Sequence, residues 1–154
     1  MGDLLKNQFD IVRSRLVSRL AELPEEVTET VPEGFPNNIH WNLGHLLLVT
    51  ERFIFSGNEQ LPAHYSDYFA PGTKPADWKG EAPSVAELLE QAKEQLIRIK
   101  AVPNERFQEK LPEPMVGQTT VGQLTSFAIY HESYHFGQIH AMRRVIETSL
   151  NNTK

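Results

Sequence analysis

The chain has 154 residues, with 20 Asp+Glu against 15 Lys+Arg for a net charge of −5, six His and no Cys. That length suits one domain, 1–154, whose core needs no covalent staples. The missing cysteine excludes disulfides, thiolate metal centres and a Cys nucleophile, and the acidic balance argues against nucleic acid as the main partner.

The N-terminal stretch is charged throughout and lacks the apolar core of a secretory signal. The longest apolar run, Leu46–Val49, is far short of the ~20 residues of a membrane span. The expectation is a soluble cytoplasmic protein with no membrane partner.

The first predicted helix covers about residues 3–23, where Leu5, Phe9, Val12, Leu16 and Leu20 step by three or four. Pro24 stops it, and Pro24, Pro32 and Pro36 around Gly34 predict an extended crossover without helix over 24–37. Asn38 is a good N-cap for a second helix running to about Ser56, with Ile39, Leu43, Leu46, Phe53 and Ile54 on one stripe.

Gly57-Asn58 ends that helix, and a Pro/Gly-rich connection follows over 58–83. Connections this long in small domains are often functional. Its aromatics, Tyr65, Tyr68, Phe69 and Trp78, predict that it packs down on the protein. Ser84 and Glu87 read as a capping box for a third helix, with Val85, Leu88, Leu89, Ala92, Leu96 and Ile99 on its period to about Lys100.

Pro103, Pro112 and Pro114 mark another loop, and Thr120 with Gln123 repeats the capping-box logic at the start of a helix reaching about Leu150. No strand alternation stands out. The expected fold is all-α, a four-helix bundle with long crossover loops.

Bundles build their ligand and metal sites from side chains on facing helices, so the histidines matter most. His131 and His135, four apart, are offset by about 40° on a helix and can grip one ion. His140 lies about 180° from His131, which turns it toward solvent or a neighbouring helix.

A third ligand has to come from another helix. His40 and His45 are five apart, so only one of them faces inward. His45 shares a stripe with Trp41, Leu48 and Val49, where an imidazole without a partner is costly. His40, beside the Asn38 cap, is expected to be exposed, and His64 in the loop is uninformative.

The block His131-Glu132-Ser133-Tyr134-His135 also satisfies the H-E-x-x-H zinc-protease pattern, with Glu132 as its general base. The extended pattern fails, because Gly137 and His140 each fall one residue short. The shorter class needs a carboxylate ligand from a later helix, for which only 19 residues remain. Glu132 is expected to be a helix-surface carboxylate that can still act as a base or orient a ligand. Tyr134 and Trp41 are expected to be core aromatics.

Two blocks, Trp41-Asn42-Leu43-Gly44-His45-Leu46 and His131-Glu132-Ser133-Tyr134-His135-Phe136-Gly137-Gln138-Ile139, resemble the DinB-like four-helix-bundle metalloproteins. That family includes bacillithiol- and mycothiol-dependent S-transferases. The resemblance implies a DinB-like bundle in which His45, His131 and His135 bind a divalent transition metal, Zn or Ni, and it implies a homodimer.

The function it implies is thiol S-transfer, from a low-molecular-weight thiol to a small electrophile. Gln138, on the His131 face, would supply a hydrogen bond near the site. The alternatives are a metal-dependent hydrolase on the same histidines, a non-catalytic metal-binding or dimerisation module, and a plain bundle with hydrogen-bonded core histidines.

Overall fold

In chain order the helices are α1 (Gly2–Ala21), α2 (Glu25–Glu29), α3 (Ile39–Phe55), α4 (Tyr65–Phe69), α5 (Val85–Ala101) and α6 (Val121–Asn152), in a computed structural model that describes residues 1–154. Three of the four long ones, α3, α5 and α6, start where the caps predict. The Asn38 side chain accepts from the Trp41 N–H at 2.8 Å, and both capping boxes, Ser84 with Glu87 and Thr120 with Gln123, are closed.

Two connections differ from expectation. The 24–37 crossover is not helix-free: Pro24 ends α1 and then serves as the N-cap of α2. A proline N–H would have had no intrahelical acceptor there, so nothing is lost by its absence. The 58–83 connection packs down as its aromatics predict, burying Tyr65 and Phe69 on the one-turn α4.

A hairpin also forms where no strand was expected, with β1 (Lys110–Met115) antiparallel to β2 (Gln118–Thr120). Val116 and Gly117 both have positive φ, the backbone of a tight two-residue hairpin turn.

The long helices pack as a ring. α1 and α3 each contact both α5 and α6. The links from α1 to α3 and from α5 to α6 therefore run diagonally across the bundle, which accounts for their length. No helix is long and apolar enough to cross a membrane.

The apolar core is split in two. One cluster contains Leu16, Leu20, Leu46, Leu88, Ala92 and Ile139, and the other contains Phe9, Ile54, Ile99 and Ala128. Between them each long helix contributes a polar residue: Arg13, Glu51, Gln95 and Glu132, all almost or fully inaccessible.

Arg13 grips both Glu132 oxygens at 2.6 and 2.7 Å and donates to the Ala92 carbonyl and to Gln95. Gln95 in turn donates to Glu51, which also accepts from the two terminal nitrogens of Arg98. Burial pushes the Glu51 carboxyl up, but hydrogen bonds from Arg98, the Gln60 N–H and Gln95 outweigh it and hold it below its ordinary value.

Two expectations change here. Arg13, and not Val12, occupies the centre of the α1 stripe, and Glu132 is no surface carboxylate. A buried carboxylate is tolerable only because a bidentate guanidinium neutralises it.

Candidate metal centre

α3 lies innermost, buried continuously from Ile39 to Glu51. His45 projects from it toward α6, where His131 and His135 sit one turn apart. The ring centroids are 5.1 Å (His45–His131), 4.8 Å (His45–His135) and 4.5 Å (His131–His135) apart. One nitrogen from each ring lies within 4.8 Å of the other two.

Tetrahedral zinc, with Zn–N of about 2.0–2.1 Å, spaces its nitrogens roughly 3.4 Å apart. Closing from 4.8 Å thus takes about 1.4 Å at the widest gap, within reach of small side-chain rotations.

The hydrogen bonds around the cluster prepare it for a cation. His45 Nδ1 donates to the Phe69 carbonyl at 2.7 Å, and His135 Nδ1 donates to Asn42 Oδ1 at 2.7 Å. Asn42 cannot turn its amide, because its NH2 is committed to the Asn37 side chain and the Asn38 carbonyl. Each ring therefore carries its proton on Nδ1 and presents a bare Nε2 lone pair to the cluster, as metal-bound histidines do.

His131 has no such partner, and its Nδ1 is buried without a hydrogen bond. The protonated forms are also disfavoured. Burial and the neighbouring His45 push His131 down to about 4, and burial with His131 and His45 pushes His135 down to about 3. Burial lowers His45 as well, against the raising effect of the Phe69 carbonyl, and Arg52 adds to the lowering. Three neutral imidazoles are competent donors for a divalent transition metal.

The 58–83 connection is built into this centre. Trp41 stacks on His45 at 4.5 Å and donates to Thr73, beyond α4. The Phe69 ring sits directly over Gly44, where any Cβ would come within 3.0 Å of three ring atoms. The absence of a side chain at Gly44 is what lets α4 approach closely enough for its carbonyl to reach His45.

Other expected site residues lie as follows. Gln138 donates to the Tyr134 hydroxyl at 3.0 Å, and Tyr134 is half exposed and not in the core, its ring edge-on to His135 at 5.4 Å. Trp41 is the core aromatic expected, and it also forms one wall of the cluster. Both Glu132 oxygens are taken by Arg13, so this carboxylate belongs to the polar layer.

His40 is buried, not exposed: its ring nitrogens meet Glu29 and the Pro83 carbonyl, tying α2 and the start of α5 to α3. His140 is exposed. Asn42 and Phe69 escaped sequence reasoning, Asn42 although it sits inside the quoted block. A groove of about 840 Å³ lies on another face of α6, away from these three histidines.

A four-helix bundle with a buried three-histidine cluster compatible with metal binding is the class that fold and site define. The chain belongs to the DinB superfamily, whose family model matches residues 8–139. Its fold is similar to that of the conserved protein of locus from Enterococcus faecalis, a crystal structure with a TM-score of 0.69 and 16% identity that covers 96% of this chain and 98% of that one. No curated protein matches the chain.

Proposed function

We propose that this protein is a metal-dependent S-transferase that joins a low-molecular-weight thiol of the bacillithiol type to a small electrophile. His45, His131 and His135 are the metal ligands in this reading, and the metal is Zn or Ni. The observation that carries it is the convergence of three neutral imidazoles, two of them oriented by Nδ1 hydrogen bonds. Three protein ligands leave a coordination position for an exogenous group, the usual arrangement of catalytic zinc.

A divalent ion held there supplies a Lewis acid that lowers the pKa of a bound thiol. The chain's own residues do the rest. Asn42 and the Phe69 carbonyl hold the ligand tautomers, Trp41 shields one side, and the Gln138–Tyr134 pair, beside His135, offers hydrogen bonds at the exposed rim. A chain without cysteine takes its sulfur from the cosubstrate. In the reaction the S–H proton passes to solvent, the sulfur forms a bond to carbon, and the leaving group departs with its electron pair.

The test uses untagged protein. Purified protein carries close to one transition-metal ion per chain, and His45→Ala loses it. With 1-chloro-2,4-dinitrobenzene, the loaded protein releases chloride and forms the thioether only when a thiol is added. Metal without any thiol-dependent rate refutes the transferase reading, and no metal refutes the site. The family resemblance also implies a homodimer, which sedimentation velocity tests.

A further inference from the structure

We propose that the crevice between α1 and α6, on the side of α6 turned away from the histidines, binds a small organic anion with an apolar body. The crevice is open on one side and offers about 840 Å³, within the usual span of small-molecule sites. Gly137, which lines it, is two residues and about 200° round the helix from His135, so this is a separate site from the metal centre.

Its chemistry is one-sided. Arg15 and Arg19 come from α1, and Arg143 and His140 from α6, above a floor that includes Leu20, Leu23 and Phe136. No carboxylate lines it, in a chain whose net charge is −5. Arg143 is already paired with Glu147, and Asp10, which accepts from Ser14, is held by Lys100, so the free charges of the crevice are Arg15 and Arg19. Arg15 and Arg19 have no ion-pair or hydrogen-bond partner within the chain.

Two local features run against helix stability. Arg15 and Arg19 are like charges four apart on one helix, an unfavourable spacing. Gly137 interrupts the middle of the 32-residue α6, where alanine forms helix better. Nothing lies within 4 Å of where its Cβ would be, so no packing inside the chain requires a glycine.

Both features face the same crevice, and both make sense with an occupant. The guanidiniums offer forked donors to a carboxylate or phosphate, and the bare Gly137 backbone lets an apolar body approach α6 closely.

Calorimetric titration of the full-length protein with decanoate tests the proposal, with decyl phosphate to compare head groups. Decanol supplies the tail without the charge, and inorganic phosphate the charge without the tail. Decanoate or decyl phosphate binds at least about tenfold tighter than either control. Arg15→Gln/Arg19→Gln weakens that binding about tenfold by removing the donors.

Gly137→Leu keeps every charge and fills the crevice, so it weakens binding to a similar extent while its melting temperature stays level or rises. Zinc content is unchanged in both variants, which separates this site from the histidine centre. Decanol binding as tightly as decanoate, or decanoate binding that Gly137→Leu leaves intact, overturns the proposal. A wild-type dimer that Gly137→Leu dissociates, with no binding of either anion, overturns it too and assigns the crevice to a second copy.

Discussion

Replacing Gly44 with alanine tests whether the 58–83 connection shapes the candidate metal centre. The added methyl would collide with three atoms of the Phe69 ring, and Phe69 is fully inaccessible, so the ring cannot swing into solvent. The relief has to come from α4 moving as a unit away from α3. That movement stretches the 2.7 Å bond from His45 Nδ1 to the Phe69 carbonyl.

Overpacking costs about 1–3 kcal/mol, and exchanging a mid-helix glycine for alanine returns about 1 kcal/mol. The net loss of stability is therefore about 0–2 kcal/mol, small enough to leave the bundle folded. Metal affinity falls further, by about 10- to 100-fold, the usual consequence of losing a hydrogen bond that orients a ligand.

Competition for zinc against a chromophoric chelator at pH 7.5 reads the affinity, and urea unfolding of the metal-free protein reads the stability. Gly137→Ala is the control, because the same substitution on α6 meets open space. It gains about 1 kcal/mol and leaves zinc affinity unchanged. If Gly44→Ala binds zinc as tightly as Gly137→Ala, the coupling of α4 to His45 is refuted.

Three further outcomes follow from the same geometry. Arg13→Met leaves Glu132 buried without a counter-charge and costs about 3–5 kcal/mol by urea unfolding, of which Arg13→Met/Glu132→Leu recovers most; a double variant no more stable than the single one refutes the layer's role. Asn42→Leu removes the acceptor of His135 Nδ1 and lowers zinc affinity about 10- to 100-fold in the chelator assay. The metal-free protein loses stability as pH falls from 7 to 5, because unfolded histidines take up protons near pH 6.5 while folded His131 and His135 refuse them until about 4 and 3; that loss shrinks in His131→Gln/His135→Gln, and an unchanged slope refutes the assignment.

The long helices and the pairing of His131 with His135 were legible because period and capping act locally. The 120–123 capping box is complete in four residues, and the 40° offset of an i, i+4 pair needs no tertiary partner. His40 was misread because the angular argument assumes a helix with one wet face. α3 is buried all round, with α2 and the 58–83 connection closing the side that solvent would otherwise occupy. The hairpin was hidden because Pro112 and Pro114 erase the alternation of β1, and its turn uses Val-Gly where Asn-Gly would have signalled it.

Arg13 did leave a trace. The series Leu5, Phe9, Arg13, Leu16, Leu20 keeps the stripe only if the arginine is accepted as a member. Charge made Val12 the more natural choice, and only a carboxylate from another helix reverses that judgement. Glu132 posed the same problem from the other side, since a carboxylate between two candidate ligand histidines invites a catalytic role. A residue of this kind can be assigned only in pairs, and the two members lie 119 positions apart in the chain.

That pairing also bears on how the histidine cluster is held. Glu132 lies between His131 and His135 in sequence but points about 60–100° away from them, into the bundle. Arg13 fixes it with two charge-assisted bonds, and Gln95 and Glu51 carry the network to α5 and α3. The segment of α6 that presents His131 and His135 is thus pinned in axial register against three other helices at the level of the site. An apolar layer packs in many nearly equivalent registers, whereas a bidentate ion pair satisfies its geometry in one. The polar layer interrupts the core at the turn where two imidazoles on α6 must meet a third on α3, and so fixes the one degree of freedom that helix sliding would otherwise leave open.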